Sequence, residues 1–286
     1  MLDLLAGLAG SDFTSLMLEV ARRRAAAQTA AEVLRRYRNN RFAQPSGTSW
    51  HSLRRVEELL TRHLPADVEV LTLAPVVPLG THSVLGPVSQ DKVLTALRAL
   101  EVAADPTNAL ALESAARRRA RPDETVRLAA FQRVVRAQRP APGYLPHFSL
   151  LGLVTAGRDD GGRRFQREAV GAQVGAVAAA LAEASQAAVQ VALTPLSPAG
   201  ESLAAAVAGV LAGPEVLVVA DAGRQAGRGY YRELCFKINI RSDRAWAEVG
   251  DGGFTDWTAQ LTANSRERLL ITGIGIDSLV SLTGRP

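Results

Sequence analysis

Two runs of alternating, partly β-branched residues, Val126 to Val135 and His147 to Ala156, flank a segment from Arg139 to Pro146 that holds Pro140, Pro142, Gly143 and Pro146. Proline at that density supplies no ladder donors and fixes its own φ, so neither strand nor helix continues through it. Two strand-like runs joined by so short a turn read as an antiparallel pair. A second pair is expected from Tyr230 to Ile240 and Ala245 to Val249, with further strands at Val68 to Pro78, Ala188 to Leu193 and Leu269 to Ile276. Apolar residues at three- and four-residue spacing predict one or two amphipathic helices over Phe13 to Tyr37 and another over Ser52 to His63, with Ser49 as its N-cap. Further helices are predicted over Thr107 to Arg119, started by Asp105 or Thr107, over Arg167 to Ala184, over Ala199 to Ala212, and over a last short segment near Asp277 to Leu282. Paired strands interrupted by helices predict an α+β chain, a mainly antiparallel sheet flanked by helices, rather than a strict βαβ alternation.

Composition narrows the function classes. With 286 residues, 47% of them hydrophobic and 21% charged, the chain has enough apolar content for a real core, and disorder as its main state is excluded. One cysteine, Cys235, excludes a disulfide framework and a cysteine-rich zinc site. The longest apolar stretch, Leu203 to Gly213, falls far short of the roughly 20 residues of a membrane span. No basic segment precedes the first apolar residues, and Asp3 and Asp12 interrupt them, so a cytoplasmic protein is expected. The four histidines, His51, His63, His82 and His147, have no metal-ligand spacing, and no nucleophile elbow occurs. Neither GxGxxG nor GxxxxGK[ST] is present, which removes support for dinucleotide and P-loop sites. Asp159-Asp160-Gly161-Gly162 reads as a turn. A net charge of +5 leaves polyanions open as partners, and the arginine clusters at Arg22 to Arg24, Arg35 to Arg41 and Arg117 to Arg119 make nucleic acid a candidate, the first two through an N-terminal helical segment.

Three segments in order resemble the catalytic core of class II aminoacyl-tRNA synthetases, in particular histidyl-tRNA synthetase and its paralogue, the regulatory subunit of ATP phosphoribosyltransferase. Phe131-Gln-Arg-Val-Val-Arg136-Ala-Gln138-Arg-Pro140, the Gly143 loop and His147-Phe-Ser-Leu-Leu-Gly152 are similar to motif 2. Gly229-Tyr230-Tyr231-Arg-Glu-Leu-Cys-Phe236 with Asp251-Gly252-Gly253-Phe-Thr-Asp256 is similar to the amino-acid pocket of histidyl-type proteins, in which a glycine pair forms a turn. Gly273-Ile-Gly275-Ile-Asp277-Ser278-Leu279 is similar to motif 3. Ser52 to Pro78 resembles motif 1, with Pro75 or Pro78 as its proline, and Asp105-Pro106-Thr107-Asn108 stands where the family has a helix beginning Arg-Pro-Glu.

The resemblance implies residues 48–286 as a synthetase-like core, residues 1–47 as a helical N-terminal extension, no room for an anticodon-binding domain, and a homodimer. It implies a ligand pocket built from Arg136, Gln138, His147, Tyr230, Tyr231, Gly252, Gly253, Asp256, Gly273 and Gly275, with Arg136 as an anion clamp, and ATP with Mg2+ as the cofactor of a working site. Within motifs 2 and 3 the chain departs from the pattern at two places: Gln138 replaces an adenine-binding glutamate, and Ser278 replaces the arginine of motif 3. A serine supplies neither a cation nor a stacking plane. The arginine of the histidyl-type Arg-Gly-x-Asp-Tyr-Tyr element is here matched only by Arg228, two residues nearer the tyrosines. The expectation is therefore a catalytically reduced paralogue that binds a ligand or regulates a partner enzyme. The alternatives are an active ligase that adenylates a small acid for a non-tRNA acceptor and a basic nucleic-acid-associated protein.

Overall fold

The computed structural model of the chain describes residues 1–86, 88–139, 145–242 and 245–284, so Pro140, Pro142 and Gly143 of the motif 2 loop lie outside the described residues. In chain order the described elements begin with α1 (Leu2–Ala6), α2 (Gly10–Ala26), α3 (Ala30–Asn39), α4 (Trp50–Arg62), β1 (Glu69–Val70), β2 (Val76–Pro78) and α5 (Thr81–Val84). A 3-10 turn at Gln90–Lys92 leads to β3 (Thr95–Ala96), β4 (Leu100–Val102), α6 (Pro106–Ala120), β5 (Val126–Val135), β6 (His147–Arg158) and α7 (Arg164–Ser185). The chain continues through β7 (Val189–Pro195), α8 (Pro198–Leu211), β8 (Val216–Ala220), β9 (Arg232–Ser242), β10 (Ala245–Thr255), α9 (Trp257–Thr262), β11 (Glu267–Gly275) and α10 (Ile276–Thr283).

The main sheet has eight strands in the order β1-β5-β6-β11-β10-β9-β7-β8. Its six central strands are mutually antiparallel, as expected from the two hairpins, while the outer β1 and β8 each run parallel to their neighbours. The sheet is thus mainly antiparallel as expected, with a single βαβ unit, β7-α8-β8, at one edge. A small antiparallel sheet, β2-β4-β3, stands beside the main one.

Alternation along the strands divides the core into two layers. Leu151, Leu153, Phe236, Ile238, Leu270 and Ile274 face α4, α7, α8 and α10. Leu128, Ala130, Val154, Cys235, Leu269 and Ile271 face α6 and α9 on the opposite side. The first layer is sealed, with α7 pinned through buried Gln173, which accepts from Thr155 Oγ1 at 2.8 Å and donates to Thr272 Oγ1 at 2.7 Å. Beyond α6 and α9, the second layer opens into a cavity. Helix α6 is seated close to β6 because position 152 is glycine: a Cβ there would stand 2.8 Å from Pro106 Cγ. Its other end is fixed by Arg118, which makes paired 2.8 Å bonds to Glu267 of β11 with both side chains buried.

Helices α1, α2 and α3 contain no buried residue. The chain after them is tied to the core: Arg41 donates to the Gln138 carbonyl, and Thr48 Oγ1 donates to buried Asp277 at 2.7 Å.

Candidate functional site

The cavity, about 310 Å³, lies over the second layer between α6, β10, β11 and the end of β5. It brings together five of the ten residues expected there, Arg136, Gln138, Tyr230, Tyr231 and Gly273. The motif 2 and motif 3 segments therefore meet across one hollow, although 137 positions separate Arg136 from Gly273 in sequence (273 minus 136).

Arg136 follows β5 and is held by partners within the chain. Its Nε donates to the Ala104 carbonyl at 3.0 Å, its Nη2 donates to Asp105 Oδ2 at 3.1 Å, and its guanidinium lies 5.1 Å from the Phe148 ring centroid. Asp105 has a second task. Its Oδ1 accepts from Thr107 N at 2.9 Å and Thr107 Oγ1 at 2.7 Å, capping α6, where a carboxylate also suits the helix dipole.

Tyr230, Tyr231 and Trp257 make an aromatic wall. The two tyrosine rings are 4.3 Å apart, and Tyr230 stacks on Trp257 at 6.0 Å and 21°. Burial pushes the Tyr230 phenol up to about 12, helped by the Asp251 charge. Burial also raises Tyr231 well above the ordinary phenol value. Behind the tyrosines, buried Arg224 donates to Asp251 Oδ2 at 2.7 Å and to the Phe236 carbonyl at 2.7 Å, with its guanidinium 5.4 Å from the Tyr231 ring centroid. Burial raises the Asp251 carboxyl, and Arg224 opposes that rise. Arg224, rather than Arg228, is thus the arginine set against the tyrosine pair; Arg228 bonds to the carbonyls of Arg224 and Ala222.

On the α5 side, His82 is 1% exposed and its tautomer follows from its partners. Its Nε2 accepts from Ala104 N at 3.0 Å, so the neutral ring carries its proton on Nδ1, which donates to Asn108 Oδ1 at 2.8 Å. Glu101 seats this segment by accepting from Gly80 N, His82 N and Gln90 Nε2, all within 2.9 Å. Burial alone would raise that carboxyl, and the three donors outweigh it, so its pKa lies below the usual glutamate value.

The other five expected residues stand elsewhere. His147 Nε2 bonds the Gln44 carbonyl at 2.6 Å, and its Nδ1 accepts from Arg133 at 2.8 Å, away from the cavity. Gly252 and Gly253 form no turn; both lie within β10, opposite Phe236 and Cys235 of β9. Gly252 faces the sealed layer. Gly253 backs the aromatic wall, where a Cβ would stand 2.7 Å from Tyr231 Cδ1. Asp256 precedes α9 and pairs with Arg232 at 3.0 Å, and Gly275 begins α10. The arginine run Arg117 to Arg119 is engaged within the chain: Arg118 is buried at 2% exposure, half-buried Arg117 pairs with Glu69 and Glu113, and exposed Arg119 donates to the Leu261 carbonyl at 2.6 Å. Sequence reasoning missed His82, Asn108, Arg224, Asp251 and Trp257 as a group, because they meet only through strand register and helix packing.

An antiparallel six-strand platform with a motif 2 hairpin, a motif 3 strand and helix, and a cavity between them is the class II aminoacyl-tRNA synthetase-like fold. Solved structures bear this out. The chain is similar to an ATP phosphoribosyltransferase regulatory subunit/histidyl-tRNA synthetase from Bacillus halodurans, at TM-score 0.66 and 16% identity over 85% of this chain and 83% of that one. It is similar to the apo histidyl-tRNA synthetase of S. aureus, at TM-score 0.64 and 11% identity over 84% and 70% of the two chains. It is also similar to a histidine–tRNA ligase subunit from Alicyclobacillus acidocaldarius, at TM-score 0.63 and 13% identity over 84% and 96%. No family model and no curated protein matches the sequence.

Proposed function

We propose that this chain is a catalytically reduced member of the class II synthetase-like fold, a homodimer that binds a small ligand in the cavity and regulates a partner enzyme in the cytoplasm. The observation that carries this reading is the state of Arg136, whose guanidinium is divided between the Ala104 carbonyl and Asp105. An adenylating site must neutralise a polyphosphate while holding a second anion in line, and positive charge does most of that work. Around this cavity the cations Arg136, Arg224 and Lys92 face Asp105 and Asp251, which leaves one positive charge in balance. Ser278, in the place of the motif 3 cation, is an exposed hydroxyl. Among the described residues no three His, Cys, Asp or Glu side chains gather as a metal site. These residues do not fit ATP with Mg2+.

The test is ATP–pyrophosphate exchange screened across amino acids and small carboxylic acids. A null result is expected. A robust signal abolished by Arg136→Ala would establish the ligase reading in its place. Co-purification of a partner enzyme whose activity changes with this chain present is the expected positive result for the regulatory role.

A further inference from the structure

The N-terminal arm carries an apolar face that nothing else in the chain covers. Among the described residues, nine of the 18 large apolar side chains left exposed lie within residues 1–37, about an eighth of the sequence. In α2, Phe13, Leu16 and Val20 recur at three- and four-residue spacing and share one side of the helix; in α3, Val33, Leu34 and Tyr37 share one side too. The hollow where α2 and α3 meet is lined from the core by Leu97 alone, in the turn between β3 and β4.

A stripe of this kind is what a helix turns toward a core. Helix α3 has 10 residues, and even with its Thr29–Glu32 capping box a helix shorter than about 12 residues is marginal in water unless something packs on it. The polar sides are largely satisfied already: Arg22 and Arg23 pair with Glu19, and Arg35 with Glu32, each on its own helix.

The amount of surface fits a second copy of the chain. A compact monomer of 30.3 kDa exposes about 11,800 Å². This chain exposes 15131 Å², an excess of about 3,300 Å². That is more than the roughly 1,000–2,500 Å² that each half of an obligate homodimer gives up. A two-fold contact sets one patch against itself. Apolar side chains are complementary to their own kind, whereas arginine-bearing sides repel each other, so the stripe is the part of the arm suited to such a contact.

From this we infer that the α2–α3 arm of one protomer packs on the same arm of a second copy, through Phe13, Leu16, Val20, Val33, Leu34 and Tyr37. The inference rests on the homodimer reading and places the contact on the arm rather than on α4, the helix similar to motif 1. Arg41 at the Gln138 carbonyl and His147 Nε2 at the Gln44 carbonyl tie the base of the arm to the motif 2 hairpin, so the paired arms stand at that end of each core.

Analytical ultracentrifugation of the full chain over a range of concentrations tests it. The full chain is expected to sediment as an assembly of at least two copies. In the double variant Val33→Glu with Leu34→Glu, the new carboxylates stand three and four residues before Arg36 and Arg38, a spacing that supports the helix. Its far-ultraviolet spectrum is expected to be unchanged, and its dissociation constant to rise about ten-fold or more. Leu16→Ser with Val20→Ser is expected to act in the same direction, and it decides if the first variant fails to fold. Arg35→Gln, on the polar side of α3, is expected to leave association unchanged. Association unaltered in both apolar variants overturns the inference and leaves the homodimer reading standing, as does equal weakening by Arg35→Gln. A full chain that sediments as one copy at high micromolar concentration overturns both, and salt-sensitive RNA binding by that single copy would assign the arm to nucleic acid instead.

Discussion

Asp105 concentrates the chemistry of the site in one carboxylate. One oxygen caps α6 and the other holds Arg136, so a change that keeps the shape and removes the charge separates the two tasks. Asp105→Asn is expected to keep the cap and loosen Arg136, at a cost of about 1 kcal/mol or less in urea unfolding because the ion pair is part-exposed. The tyrosine wall makes a second prediction at this scale. Tyr230 and Tyr231 are held protonated above the ordinary phenol value of 10.0, Tyr230 up to about 12. In that window the unfolded chain releases phenolic protons that the native chain keeps, so stability falls as pH rises from about 10 towards 12. A spectrophotometric titration should show two of the four tyrosines ionising late, together with alkaline unfolding.

Among the elements, α6 depends on a buried charge pair. Arg118→Ala leaves Glu267 buried with only the flanking Arg158 contact, and it is expected to cost about 3–5 kcal/mol in urea unfolding. The double variant Arg118→Met with Glu267→Leu should recover a large part of that loss. Legibility in the sequence also differs by element. β5 and β6 were readable nearly to the residue because alternating runs meet a proline-rich turn, and the Asp105-Pro106 start marked α6 because cap and proline act locally. β8 was missed because Val216–Ala220 is a five-residue apolar run just after an apolar helix, with no period to separate the two. α9 has six residues, too few for a helical period to show. Of the site, Arg136, Gln138 and the tyrosines could be found through motif spacing. His82 and Asn108 could not, since their bond spans 26 positions and nothing in either neighbourhood announces the other. Gly252 and Gly253 misled for a related reason: a glycine pair usually marks a turn, and here close packing from neighbouring strands demands the absence of a Cβ.

At the scale of the whole molecule, the sheet and its two layers carry the fold, and the first three helices contribute no buried side chain to it. Removal of residues 1–39 is expected to leave the core folded, with a melting temperature within a few degrees of the full chain in a thermal scan. The same deletion tests the nucleic-acid alternative, because Arg22, Arg23 and Arg35, which pair only with neighbouring glutamates on their own helices, go with it. Salt-sensitive RNA binding lost on deletion would promote that role.

The double duty of Asp105 has a mechanical corollary. An incoming anion that draws the Arg136 guanidinium away strips the first turn of α6 of its cross-link to the β5 hairpin, and the far end of that helix is bolted to β11 through Arg118. Occupancy and helix anchorage are then thermodynamically reciprocal: whatever grips α6 from outside must retune the hold on the guest, and the guest must retune that grip in return.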